Sequence, residues 1–199
     1  MAARGKNVID GEKRKLVEYT GKILHLDGDK RYGEKAAKYY KSRGLNATVK
    51  YITENRQPEV VMELLSKYDP DILIITGHDT MLKKNRNYYN LSNYRNSKYF
   101  IDTVQRAREW ERYTGKELTI FAGACESFFE AIMEAGADFA SSPGRILIDF
   151  MDPLVVAEKI ATTEDCYFVS IHDIARELKD GIKGVGGSGS KGKKIILTS

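Results

Sequence analysis

Cys125 and His78 are the two side chains of this sequence best suited to do chemistry together. Each ends an apolar run, Asp71-Ile-Leu-Ile-Ile-Thr-Gly-His78 in one case and Leu118-Thr-Ile-Phe-Ala-Gly-Ala-Cys125 in the other. Both runs have the pattern of buried strands. In an open parallel sheet the carboxyl ends of neighbouring strands share one crevice, and ligands bind there. A thiol and an imidazole delivered to that rim form a nucleophile–base pair, which points to a cysteine hydrolase and first of all to a peptidase.

The surroundings of each residue favour that chemistry over a structural role. Gly123 and Ala124 before the cysteine allow a tight strand-to-helix turn and close approach of a substrate. A helix expected over 127–135 would present its positive end to the sulfur and favour thiolate. Backbone N–H groups at Cys125, and at Gly77 beside the histidine, could hold a developing oxyanion. The plainer reading of Cys125 is a small buried hydrophobe. The plainer reading of His78 is a polar loop residue beside Asp79, and Asp79 or a backbone carbonyl could orient its ring. Roughly fifty residues separate the pair, with the histidine upstream, as in caspases. That leaves room for a loop and one crossover helix, so the two strands can be neighbours. His25 reads as a core or rim residue, His172 lacks a small-residue elbow, and Cys166 reads as structural.

Asp27-Gly28-Asp29 follows what reads as the first strand. Its carboxylates could pair with a Lys or Arg of a substrate. Asp-x-Asp there also resembles the nucleophile motif of haloacid-dehalogenase-type phosphatases, but the later acidic ligands for Mg²⁺ are missing. A solvated turn is the plain alternative.

The elements that must carry these residues alternate along the chain. Strands are expected at 22–26, 47–52, 71–78, 118–125, 137–140 and 166–170. Helices are expected at 32–43, 57–68, 99–113, 127–135, 152–162 and 172–179. That order predicts an α/β three-layer sandwich with a mostly parallel central sheet. Residues 1–20 read as a flexible basic arm or linker remnant, 21–180 as the catalytic domain, and 181–199 as a flexible Gly/Ser/Lys-rich tail with a small edge strand at 195–197. The long polar segment 80–97, rich in Asn and Tyr, is expected to be functional.

Composition narrows the classes. The 199 residues are 42% hydrophobic and 30% charged, ordinary for one globular domain. No apolar run approaches the roughly 20 residues that span a bilayer, and no secretory signal is visible. The net charge of +4 is too small to make nucleic acid the leading partner. Two cysteines in unrelated contexts suggest no disulfide framework, which fits a reducing compartment. No cofactor is required by the Cys/His chemistry, and no Cys/His cluster has zinc-ligand spacing.

An apolar strand ending in His, followed by one ending in Ala-Cys, resembles the caspase-like cysteine peptidases that include clostripain, gingipain and legumain. Longer stretches extend the likeness: Leu24-His-Leu-Asp-Gly-Asp29, Asn93-Tyr-Arg-Asn-Ser-Lys-Tyr-Phe100, Phe121-Ala-Gly-Ala-Cys-Glu-Ser127, Phe129-Glu-Ala-Ile132 and Phe139-Ala-Ser-Ser-Pro143. As a set, from about 21 to about 160, they resemble the YabG family of sporulation-specific proteases. The resemblance implies a protease made in the cytoplasm of the sporulating mother cell that acts in the spore coat. Its substrates would be coat proteins, cut after Lys or Arg, with no membrane partner. It implies Cys125 as nucleophile, His78 as partner, and self-cleavage, for which Lys13-Arg14-Lys15 is a suitable target. For the basic specificity pocket Asp27 or Asp29 come first, with Ser141, Ser142 and Asp149 behind them. Two departures stand out: Asp79 occupies a position where many caspase-like peptidases have Gly, and the chain is expected to start near the catalytic domain, without the family's usual N-terminal segment.

Two rival classes remain open. A glutamine-amidotransferase-like hydrolase of small molecules shares the thiol elbow but places its histidine downstream, where His172 is the one candidate. A coat-assembly or nucleic-acid-binding module built on residues 83–98 would keep its function after alkylation of Cys125 and weaken with salt.

Overall fold

The computed structural model of the chain describes residues 16–82 and 87–198. In chain order its elements are β1 (Leu16–Tyr19), β2 (Ile23–Asp27), α1 (Lys30–Ser42), β3 (Ala47–Tyr51), α2 (Gln57–Tyr68), β4 (Ile72–Thr76), α3 (Ser97–Thr114), β5 (Thr119–Ala122) and α4 (Phe129–Glu134). They continue with β6 (Phe139–Ser141), α5 (Asp152–Thr162), β7 (Phe168–Val169), α6 (Ile171–Ile174), β8 (Val185–Gly187), β9 (Ser190–Lys191) and β10 (Ile195–Thr198).

Six strands form one sheet in the order β3-β2-β4-β5-β6-β8, parallel except for β8. The strands that lead to His78 and Cys125 are therefore neighbours, with Ile75 opposite Ala122. On the other side of β4 lies β2, with Asp27 opposite Thr76. The chain leaves β2 outward to β3, then crosses back to β4, so the winding reverses between β2 and β4. A crevice opens at the carboxyl ends of strands at such a reversal.

Alternation along the strands divides the core into two layers. Ile23, Ile72, Ile74, Phe121 and Phe139 pack with Ala36 and Tyr40 of α1 and with Leu154, Ala157 and Ile160 of α5. Leu24, Leu26, Leu73, Ile75, Ile120 and Ala122 pack on the other face, with Val61 and Leu65 of α2 and Phe100, Val104 and Ala107 of α3. Each fully buried Leu, Ile, Val or Phe among them contributes on the order of 2 kcal/mol. The result is the expected three-layer α/β sandwich, of the caspase-like kind.

Local signals set the helix ends. Asp29 caps α1, its side chain accepting from Arg31 N and Tyr32 N. Pro58 and Pro153 sit in the first turns of α2 and α5, where the missing N–H costs nothing. Gly115 closes α3 in the left-handed conformation. None of the helices among the described residues is long and apolar enough to cross a membrane.

Several expectations need correction: residues 16–19 of the expected arm form β1, and the helix expected at 172–179 runs only over Ile171–Ile174. The segment from 181 is not a loose tail: it supplies β8 to the central sheet, β9 to a ribbon with β7, and β10 to a ribbon with β1. Its glycines serve close packing, because a Cβ at Gly186 would press on Phe129 and Pro143, and one at Gly187 on the Asp138 carbonyl. The strand expected at 166–170 shrinks to two residues outside the central sheet. The helix expected at 127–135 starts only at Phe129 and spans six residues. The chain first turns through Glu126 at φ +55°, so this helix does not begin at Cys125. Residues 1–15, with Lys13-Arg14-Lys15, and 83–86 of the basic loop lie outside the described residues.

Candidate active site

β4 and β5 run side by side and stop at the same level, so the residues just beyond them meet. Gly77 and His78 after β4, and Gly123, Ala124 and Cys125 after β5, line one cavity of about 130 Å³. Asp27 from the end of β2 lines its floor, and Tyr32, Ile148, Phe150 and Leu154 add apolar walls. Cys125 is half-buried, and its Sγ lies 3.9 Å from the Ile148 carbonyl oxygen.

His78 is gripped on three sides. Its ring Nε2 lies 2.9 Å from Asp29 Oδ2. Its backbone N–H donates to Glu54 Oε1 at 2.6 Å, and its carbonyl accepts from Asn96 Nδ2 at 2.7 Å. With Nε2–H donating to Asp29, Nδ1 is left as the basic nitrogen of the ring. The same bond, more than anything else, holds the Asp29 carboxyl below its ordinary pKa. Asp29 was expected to face a substrate cation. Its Oδ1 accepts instead from Arg31 N and Tyr32 N, and its Oδ2 from His78, so the carboxylate orients the imidazole.

Asp79 does not orient the ring. It is buried, and its oxygens accept from Thr80 N, Asn96 N, Ser97 Oγ and Ser127 Oγ. Ser127 Oγ in turn accepts from Ala124 N at 2.9 Å, and Ser97 Oγ from Phe128 N at 2.8 Å. This buried junction links the histidine turn to the cysteine turn. Burial pushes the Asp79 carboxyl above its ordinary range, against the hydrogen bonds that lower it.

Asp27 closes a buried chain of hydrogen bonds. Tyr40 OH lies 3.0 Å from His25 Nδ1, His25 Nε2 lies 2.7 Å from Thr76 Oγ1, and Thr76 Oγ1 donates to Asp27 Oδ2 at 3.0 Å. Because Thr76 donates its one hydroxyl proton to Asp27, His25 Nε2 is the donor and Tyr40 donates to Nδ1. Burial lowers the His25 pKa to about 3, so the imidazole is neutral, a core residue as its place in the first strand suggested. Burial raises the Asp27 carboxyl pKa, while bonds from Asp29 N and Thr76 oppose the rise. The cavity is thus apolar along its walls and carries a carboxylate at its base.

The remaining candidates stand outside the lining. Ser142 Oγ exchanges bonds with Ile146 N and O, at 2.9 and 3.1 Å. Asp149 Oδ1 accepts from Met151 N. Ser141 is fully buried behind Gly123, where an added Cβ would meet the Ser141 carbonyl at 2.7 Å. His172 is exposed on α6, away from the cavity lining.

Sequence reasoning missed Glu54, Gln57 and Asn96. Nothing in their spacing marks them, because Glu54 and Gln57 reach the end of β4 from the turn that opens α2 and Asn96 reaches it from the segment before α3. The long segment after His78 does have a positioning part: it delivers Asn96, and it is pinned by Tyr94, which stacks on Phe128 at 5.0 Å and accepts from Arg145 Nε. Tyr32 and Phe150, which pack together at the cavity mouth, were also unmarked.

The mostly parallel sandwich, of the caspase-like kind, carries a Cys and a His at adjacent strand ends, and the comparison with known sequences gives a peptidase. The profile of the family described as YabG peptidase U57 matches residues 2–197, so the chain belongs to that family. It is 41% identical over 172 residues to the sporulation-specific protease YabG of Bacillus subtilis (strain 168). That alignment covers 86% of this chain and 59% of the relative, so the chain spans about three-fifths of the relative's length.

Proposed function

We propose that this chain is a cysteine endopeptidase of sporulation that cuts spore-coat proteins, and itself, after Lys or Arg. The observation that carries the reading is the single cavity shared by Cys125 and His78 at the ends of adjacent parallel strands. The name of the Bacillus relative supplies the sporulation setting. A mother-cell origin and action in the spore coat belong to the same proposal.

In the cycle, the Cys125 thiolate attacks the scissile carbonyl carbon and a C–S bond forms. The carbonyl oxygen takes the negative charge and is held by the N–H groups of Cys125 and Gly77, neither of which donates to an acceptor among the described residues. Protonated His78 gives its proton to the amine as the C–N bond breaks. Water, deprotonated by His78, then attacks the thioester, the C–S bond breaks, and the acid product leaves. Asp29 fixes the ring throughout and stabilises the imidazolium. The aliphatic stem of a Lys or Arg would run along Ile148, Phe150 and Leu154 to place its cation on Asp27.

Hydrolysis of peptides bearing Lys or Arg by the purified chain tests the proposal. Activity present in the wild type and lost in both Cys125→Ala and His78→Ala is the expected result. Undiminished cleavage in either variant rejects the role given to that residue. For self-cleavage the readout is intact mass during incubation, with new termini after Lys or Arg that Cys125→Ala does not produce.

A further inference from the structure

Glu54 and Gln57, from the turn that opens α2, meet the last peptides of β4 from outside the sheet. Gln57 is fully buried, and its Nε2 donates to the Thr76 carbonyl at 2.9 Å and to the Ile52 carbonyl at 3.1 Å. The Thr76 carbonyl also accepts from Gly28 N at 3.0 Å, so it points toward β2. One peptide further on, Glu54 Oε1 accepts from His78 N at 2.6 Å. The Glu54 carboxylate lies where a Cβ would stand on Gly28 or on Gly77, and this close approach is why both positions lack a side chain.

A trans peptide sets its N–H opposite its C=O. With the Thr76 carbonyl held toward β2, the Gly77 N–H is turned toward β5, the side on which Cys125 lies. The bond from His78 N to Glu54 fixes the next peptide with its N–H pointing the other way, away from β5. Two side chains of one short segment therefore set both peptide planes that flank Gly77.

We infer that Glu54, with Gln57 behind it, is a positioning residue that holds the two peptides flanking Gly77 so that the Gly77 N–H faces the reacting carbonyl and the His78 turn is fixed beside it. The inference rests on the peptidase reading above. Glu54 touches no substrate; it acts through the two residues it holds. A carboxylate does this well because a charged acceptor makes a short, strong bond to an N–H. An amide oxygen can accept the same bond, so glutamine preserves the geometry and alanine does not.

The test compares wild type, Glu54→Ala and Glu54→Gln in the full chain. Glu54→Ala is expected to lower kcat at least about tenfold with KM within about twofold, the pattern of a transition-state interaction, while Glu54→Gln recovers most of the loss. A peptide aldehyde, whose adduct with Cys125 places an oxyanion beside Gly77, should bind Glu54→Ala correspondingly more weakly. Alkylation of Cys125 by iodoacetamide, which forms no oxyanion, should keep its wild-type rate. Amide hydrogen exchange at His78 should quicken in Glu54→Ala whether or not the chain cleaves peptides. Wild-type kcat and aldehyde affinity in Glu54→Ala, or unchanged exchange at His78, overturns the inference. A wild-type chain that neither cleaves nor binds the aldehyde, with exchange at His78 still quickened by Glu54→Ala, overturns the peptidase reading and leaves the clamp on His78 standing.

Discussion

Ser127 Oγ donates to Asp79 Oδ2 at 3.0 Å, which joins the residue after the histidine to the second residue after the cysteine. The bond is buried, and three further donors share the same carboxylate. Two turns that arise 47 residues apart are thereby locked into one unit. A Gly at this position, the residue expected from the likeness to caspase-like peptidases, would leave that junction without an acceptor, so Asp79 is a structural gain here.

Asp79→Ala should be severely destabilising, on the order of 3 kcal/mol, because it strands four donors in the core. Ser127→Ala removes one bond and should cost about 1 kcal/mol. Urea unfolding checks both values. An Asp79→Ala protein as stable as wild type would show that the junction carries no weight.

Asp29 both caps α1 and bonds the His78 ring, and substitution can separate the two. Asn caps helices as well as Asp, so Asp29→Asn should leave thermal stability within about 0.5 kcal/mol of wild type. It removes the charge behind His78 and should lower kcat by at least about tenfold. Asp29→Ala should show the same kinetic loss and a further cost of about 1 kcal/mol from the missing cap. Equal kcat in all three proteins would refute the orienting role.

The Asp27 carboxyl titrates above its ordinary range because it is buried. In the window from about pH 4, where the unfolded chain loses this proton, up to the folded value, the folded protein holds a proton that the unfolded chain has lost. Stability must therefore fall as pH rises through that window. Asp27→Asn should remove this part of the slope, read from denaturant unfolding at a series of pH values. The same substitution should depress kcat/KM for Lys and Arg peptides far more than for peptides with a neutral residue at the cleavage site.

Gly123 lies at φ +112°, and a methyl there would meet the Ser141 carbonyl at 2.7 Å. Gly123→Ala should cost about 2 kcal/mol through strain and overlap. It should also slow acylation, since the residue stands two places before Cys125, the proposed nucleophile. Stopped-flow acylation with an activated ester measures the second effect.

Much of this arrangement can be read directly from the residues. The runs ending at His78 and Cys125 announce buried strands, and alternation with helical segments announces a parallel sheet, which makes those strands neighbours. The helix start at Gln57-Pro58 and the stop at Gly115 follow from capping chemistry. What resists reading is whatever depends on contact between distant segments. Asp29 looks like a free carboxylate until β2 and β4 are paired side by side. Glu54 has no local signature, because its function exists only against the two glycines it covers. The Gly/Ser/Lys composition after 181 suggests flexibility, while those glycines are small because other backbones press on them.

The ribbon of β1 with β10 pairs Leu16 with Thr198 and Tyr19 with Ile195. Proteolysis after Lys15 would sever the chain just ahead of this ladder. The shortened product would begin with a strand clasped by the far end of the molecule, so maturation at that site would leave every rung of the ladder in place.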